Sequence, residues 1–140
     1  MLAAMENKLS DAGELLFRQI HPNFLQDGEP SSDRFRPSEL DQNLMSVDRS
    51  ALTTAEASHS LYTAGGKKSA AVFGLTVGEF GSESIECLSD PIKAGGDEPE
   101  NSAHAVADYS KYSTSQQKII AKKLKRLAVG RGALYSSGCN

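Results

Sequence analysis

The chain has 140 residues and a formal net charge of −3, and 39% of its residues are apolar and 24% charged. This length and composition predict one soluble globular domain and exclude collagen-like, disulfide-stapled and wholly disordered chains. No apolar run approaches the ~20 residues that a membrane-spanning helix needs, which excludes a membrane protein.

Positive charge is concentrated toward the end of the chain. Residues 1–107 carry eight basic and 17 acidic side chains, whereas residues 108–140 carry seven basic and one acidic. This asymmetry predicts either contact with an anionic partner or a basic helix that packs on an acidic body of the same chain.

Targeting signals and cysteine usage predict a cytoplasmic protein. The beginning of the sequence carries Glu6 and Lys8 and lacks the apolar core of a secretory signal. Cys87 and Cys139 lie far apart without C-x-x-C spacing, which predicts free thiols in a reducing compartment.

One folded domain is predicted between two short ends. Residues 1–13 are predicted to form a flexible lead, residues 14–135 the domain and residues 136–140 a disordered tail. No internal repeat divides the domain further.

Two short strands flank a long irregular segment. Residues 15–20 predict a strand in which Arg18 lies on an otherwise apolar face. Residues 21–43 hold three prolines and no sustained apolar period, which predicts a loop of a length that is often functional. Residues 44–47 predict the next strand.

A helix and the strongest strand pattern follow. Thr53 and Glu56 have the spacing of a capping box, which predicts a helix that begins there. Residues 69–80 are apolar or small on both faces, so they predict the central strand. The helix residues expected to face the core are Ala57, Leu61 and Ala64.

The remainder predicts two strands, an acidic loop and a basic helix. The strands cover residues 85–88 and 103–109, and the loop between them covers residues 89–101. Ser113 fits a second capping box and begins a helix over residues 114–129. The apolar stripe of this helix is expected to be Ile120, Leu124 and Leu127.

The order of elements predicts the fold class. Strands are short, and few connections are long enough to hold the crossover helices of a parallel sheet. We therefore expect an α+β domain with a mainly antiparallel sheet and two main helices packed on it.

Few residues predict catalysis. The three histidines lack metal-ligand spacing, so no metal is expected. The sequence has no phosphate-binding glycine motif, so no cofactor is expected either. Ser46 has no nucleophile-elbow motif, and acidic neighbours disfavour a reactive thiolate at Cys87. Arg18 is either paired at an edge or aimed into a site, since an unpaired buried charge is costly.

Three surfaces are candidates for binding a partner. The long loop places two guanidiniums around an aromatic ring at Arg34, Phe35 and Arg36, and the second loop is acidic at Asp97, Glu98 and Glu100. These loops suit a protein partner, above all a basic one. The basic helix offers the alternative of a nucleic-acid contact through Lys118, Lys122, Lys123, Lys125 and Arg126.

Several segments resemble small bacterial proteins without an established activity. These segments are Phe17 to Pro22, Phe35-Arg36-Pro37, Leu44 to Val47, Asn101 to Ala105 and the basic helix. The resemblance implies a bacterial origin.

A strand with an arginine, a long loop and a strand with a serine also resemble the opening of ADP-ribosyltransferase folds. That resemblance implies an enzyme or toxin that uses a nicotinamide dinucleotide (NAD). Arg18 would then hold the phosphates and Ser46 the nicotinamide ribose, with Glu79 as the carboxylate.

These observations favour an interaction protein rather than an enzyme. The expected role is that of an accessory or immunity-type partner in a bacterial toxin or phage-defence system, without a cofactor. The ADP-ribosyltransferase-like and nucleic-acid-binding alternatives stay open.

Overall fold

The computed structural model describes residues 7–38 and 42–137. The predicted free thiol of Cys139, residues 39–41 of the predicted long loop, and parts of the predicted lead and tail lie outside this range. Within it, no helix has the length and apolar character that a membrane crossing requires.

An antiparallel sheet of six strands organises the described residues. The strands are β1 Leu15–Ile20, β2 Leu25–Gln26, β3 Glu29–Pro30, β4 Leu44–Arg49, β5 Ala71–Thr76, β6 Glu86–Ser89, β7 His104–Asp108 and β8 Tyr135–Ser136. The order of the sheet is β6-β7-β4-β1-β5-β8, and β2 pairs with β3 in a separate hairpin. The helices are α1 Ala55–Ala64, α2 Val77–Ser82 and α3 Thr114–Arg131. The α+β class with an antiparallel sheet and two sizeable helices is confirmed.

One face of the sheet, here called the core face, carries the apolar centre. Leu16 and Ile20 are buried there, and Arg18 lies between them as predicted. The helix α3 covers this face with Ile120 and Leu124. Leucine and isoleucine at helical spacing thus meet alternate residues of the strands, and burial of this apolar area is the main source of stability.

The opposite face of the sheet, here called the open face, is covered at one end by α1. The register pairs Phe17 with Asp48 and Asp48 with His104 across three strands. Because paired residues of neighbouring strands share a face, these side chains lie together on the open face.

The predicted long loop is more regular than its sequence indicates. It contains the 3₁₀ turns Pro22–Phe24 and Ser32–Phe35, with the β2–β3 hairpin between them. Asp27 and Gly28 both have positive φ at the hairpin turn, which is the conformation that an Asp-Gly pair favours. The second turn packs on α3 and helps to close the core face.

The strand predicted over residues 69–80 ends early, so part of that prediction is wrong. The chain turns at Thr76, which caps α2 in a capping box with Glu79. β5 is also not central, since β8 alone separates it from the edge of the sheet. Val77 and Phe80 resemble strand residues, but the cap satisfies the backbone of a helix instead.

The predicted core face of the first helix is also wrong. Thr54 rather than Thr53 caps α1, and its hydroxyl accepts from the backbone N–H of Ala57. The buried residues of this helix are Ser58 and His59, because α1 covers polar side chains of the open face rather than the apolar core.

The final helix confirms its predicted cap and corrects its predicted apolar stripe. Ser113 caps α3 in a capping box with Gln116. Leu127, predicted to face the core, is 45% exposed, and the neighbouring Ile119 is 59% exposed. Ile119 is rotated about 100° from Ile120 around the helix axis, whereas Leu127 lies at the border of the buried arc, beside Ile120.

The sheet makes contacts outside the predicted domain bounds of 14 and 135. Leu9 is buried in the core, and its N–H donates to the carbonyl of Cys87 at 2.9 Å. The N–H of Ser89 donates to the carbonyl of Asn7 at 2.8 Å. Residues 7–9 therefore lie along the outer edge of β6.

Candidate functional site

A polar cavity of about 500 Å³ lies on the open face and is also lined by Arg18, which reaches it from the core face between β1 and β4, beyond their paired residues. It collects five residues that the sequence singled out for three different roles: Arg18, Arg34, Ser46, Asp97 and Glu98. Other lining residues are Phe17, Asp48, Leu61, Tyr62, Ile92 and His104. Such a volume falls within the range of small-molecule sites in proteins.

A hydrogen-bonded network forms the base of the cavity around Asp48. The hydroxyl of Ser58 donates to Asp48 Oδ2 at 2.6 Å, and Asn101 Nδ2 donates to Oδ1 at 2.9 Å. Gln19 Nε2 donates to Ser58 Oγ at 2.8 Å, and the hydroxyl of Ser69 donates to Gln19 Oε1 at 2.7 Å. A buried polar network of this kind holds its side chains in one arrangement.

The two arginines of the cavity bind backbone carbonyls. Arg18 donates from Nε to the carbonyl of Arg34 at 2.7 Å and from Nη1 to that of Ser46 at 2.9 Å. Arg34 donates from Nη2 to the carbonyl of Gln19 at 3.2 Å, and its guanidinium lies 5.2 Å from the ring centre of Phe24. These bonds tie the 3₁₀ turn Ser32–Phe35, here called the 3₁₀ segment, to β1 and β4, the two middle strands of the sheet.

The acidic loop forms one wall. Ile92 and Asn101 form an isolated bridge that closes the loop at its base. The ammonium of Lys67 lies 3.5 Å from Glu98 Oε1 and 5.2 Å from the ring centre of Tyr62. The wall therefore contacts the segment after α1 through the ion pair, and the cation–π contact joins Lys67 to Tyr62 of α1.

His104 joins the acidic loop to β7. Its Nδ1 lies 2.8 Å from the carbonyl oxygen of Asp90 and 3.3 Å from the Oδ2 of the same residue. The imidazole is thereby fixed at the side of the cavity opposite α1.

Three predicted site residues lie elsewhere. Phe35 is fully buried in the core, and Arg36 Nη2 donates to Gln117 Oε1 at 3.3 Å under α3. Glu100 is exposed on the acidic loop. Phe35 therefore offers no surface to a partner, and its prediction as a contact residue conflicts with its burial.

Glu79 is also separate from Arg18 and Ser46. It belongs to α2, and Arg131 donates to both of its oxygens at 3.0 and 2.8 Å. Partial burial raises the pKa of Glu79, but the hydrogen bonds from Arg131 and from the Thr76 backbone outweigh it and hold that pKa below its ordinary value.

We expect Glu79→Gln to lose more stability at pH 7 than at pH 3. A carboxylate with a lowered folded-state pKa stabilises the fold above its unfolded pKa, and this contribution disappears as the pH falls through the folded pKa. The side chains of Glu79 and Arg131 are 21% and 28% exposed, so solvent screens the pair in part and the loss at pH 7 is about 1 kcal/mol. Urea denaturation at both pH values measures it, with Glu56→Gln as the control on an exposed carboxylate. A loss that is equal at both pH values contradicts the prediction.

A second candidate surface is the outward face of α3. Lys118, Lys122 and Arg126 follow one another at i+4 spacing and are exposed. Ile119 and Leu127 are exposed beside them. We call these five residues the basic–apolar face.

Thiol and metal chemistry find little support in the geometry. Burial, with a smaller effect of Glu14, raises the pKa of Cys87 to about 12, so its reactive thiolate is scarce at neutral pH. In the part of the chain that is described, no three His, Cys, Asp or Glu side chains are grouped as metal ligands.

Sequence reasoning missed the residues that build these surfaces. Asp48 and Asn101 are brought together only by the strand register, which local patterns do not specify. Ile119 stood outside the predicted apolar stripe, but Leu127 has the spacing of that stripe, so only the packing of the helix shows that it is exposed.

Comparisons with known proteins add no relative. No family model, curated protein or solved structure matches this chain significantly.

Proposed function

We propose that this protein binds an acidic protein partner through the basic–apolar face of α3. The observation that carries the proposal is the exposure of Ile119 and Leu127, 59% and 45%, beside a row of positive side chains. Protein interfaces commonly combine apolar contacts with polar and charged ones, and this face offers both. Charge of this kind accelerates association and selects the partner.

Internal complementarity accounts for only part of the positive charge. Lys123 Nζ lies 3.7 Å from Glu83 Oε1, and Lys125 Nζ lies 3.7 Å from Glu29 Oε1. Among the described residues, Lys118, Lys122 and Arg126 form no ion pair. Their charge is therefore available to a partner.

A protein partner fits this face better than a nucleic acid. Phosphate contacts require positive charge but gain nothing from an exposed isoleucine and leucine. The acidic remainder of the chain also repels a polyanion that extends beyond the helix.

An interaction protein also fits better than an ADP-ribosyltransferase-like enzyme. Its implied carboxylate, Glu79, binds Arg131 and does not line the cavity that contains Arg18 and Ser46. A cytoplasmic location, a bacterial origin and a role in toxin immunity or phage defence complete the proposal, on the basis of the sequence alone.

The double variant K122E/R126E is expected to bind the partner at least about tenfold more weakly and with less salt dependence than the parent. I119S/L127S is expected to lose affinity as well. The partner is first isolated from host lysate by affinity capture with and without nuclease and identified by mass spectrometry. Its dissociation constant is then measured for every variant.

The control is K68E/K93E, which reverses two exposed lysines away from α3. It is expected to bind like the parent. A partner that is lost on nuclease treatment, or that binds K122E/R126E as tightly as the parent, contradicts the proposal.

A further inference from the structure

We propose that the cavity on the open face binds an organic cation, an ammonium or guanidinium group on a short aliphatic chain. The cavity lies across the sheet from α3, so this inference does not depend on the proposed protein partner.

The strongest indication is Asp48 at the base of the cavity. This residue is only 8% exposed, and its carboxylate is held by two neutral donors, Ser58 and Asn101. Among the described residues it forms no ion pair. A buried carboxylate without a positive partner is costly, and a cationic ligand would supply that partner.

The other charges of the cavity leave this role open. Arg18 and Arg34 direct donors to backbone carbonyls that hold the 3₁₀ segment, and Lys67 binds Glu98 at the rim. Asp97 adds a further carboxylate to the lining. With Asp90 the lining has four carboxylates against three positive side chains, a formal charge of −1 that favours a cation over an anion.

The walls suit the remainder of such a ligand. Phe17, Leu61 and Ile92 offer apolar surface to an aliphatic chain. The ring of Tyr62 already contacts the ammonium of Lys67 at 5.2 Å, so the charge of the ligand is expected at Asp48 rather than at this wall. The volume of about 500 Å³ admits a ligand of this size.

The cation has two possible sources with the same chemistry. It is either a free small molecule or an arginine side chain of a peptide. Agmatine represents the first source, and the blocked tripeptide acetyl-Gly-Arg-Gly-amide represents the second. Tighter binding of agmatine points to a small metabolite, and tighter binding of the tripeptide points to a protein segment.

The test titrates the intact protein with each probe and follows backbone amide shifts by NMR and heat by calorimetry. We expect 1:1 binding with shifts centred on residues around the cavity, such as Asn101, His104 and Tyr62. Asp48→Asn keeps the size of the side chain and removes its charge, so the probe that binds is expected to bind on the order of tenfold more weakly.

The matched control is Asp27→Asn, the same replacement on an exposed hairpin turn, which is expected to leave affinity unchanged. If Asp48→Asn does not fold, Asp97→Asn takes its place. The proposal is overturned if neither probe binds the parent at millimolar concentration. It is equally overturned if the cavity variant binds as tightly as the parent, or if the shifts lie away from the cavity.

Discussion

Phe35→Ala is expected to lower the free energy of unfolding by about 3–5 kcal/mol, the usual cost of removing a fully buried phenylalanine. The ring is 0% exposed, and the carbonyl of Phe35 accepts from the buried hydroxyl of Tyr109. The substitution leaves a void between the 3₁₀ turn Ser32–Phe35 and α3, which the rigid sheet cannot fill. Urea denaturation followed by circular dichroism measures the loss.

Phe24→Ala supplies the matched control in the same segment. This ring is 41% exposed, and its main contacts are with His21 and the guanidinium of Arg34. We expect a loss of about 1 kcal/mol, in the range of an exposed cation–π contact. Equal losses in the two variants would show that Phe35 is not a core residue.

Arg18→Met is expected to lower the free energy of unfolding by about 2–4 kcal/mol. Methionine replaces the length and apolar stem of the arginine but cannot donate to the carbonyls of Arg34 and Ser46. Each buried acceptor that loses its donor costs about 1–3 kcal/mol. Arg18→Lys is expected to recover only part of this loss, because an ammonium does not reproduce the fork of a guanidinium.

Arg126→Met is the control for the same replacement on an exposed helix position. It is expected to change stability by less than about 0.5 kcal/mol, as surface substitutions usually do. Hydrogen exchange gives a second measurement, since loss of the Arg18 bonds should raise exchange first in the 3₁₀ segment. A stable Arg18→Met variant with unchanged exchange would contradict the structural role.

Local sequence patterns predicted elements well where one residue determines the outcome. Ser113 has the spacing and chemistry of a helix cap, and the helix begins there. The alternation around Arg18 correctly gives the residues that share its face, because the strand period of two admits no other assignment.

Local patterns gave wrong predictions where two local signals compete and where contacts with distant residues decide which side chains are buried. Thr76 and Glu79 carry a capping-box signal, but the strand-like residues around them concealed it. Ser58 and His59 are buried because they meet polar partners, Asp48 and the carbonyl of Ser69, from distant parts of the chain. Hydrophobic periodicity cannot predict a helix whose buried face is polar.

The cavity was the least predictable feature for the same reason. Its lining comes from β1, β4, β7, α1 and three connecting segments, and the strand register brings these elements together. The sequence did indicate Arg18, Ser46 and Asp97 as unusual, but it assigned them to separate roles.

The placement of residues 7–9 along β6 limits how other chains can add to the sheet. Unpaired backbone at the edge of a sheet is a template for uncontrolled fibre growth. Here one edge is occupied by the bonds of Leu9 and Asn7, and the other ends in the two-residue strand Tyr135–Ser136. The described residues thus offer little backbone for strand addition to this sheet, which disfavours amyloid-like stacking and favours recognition through side chains.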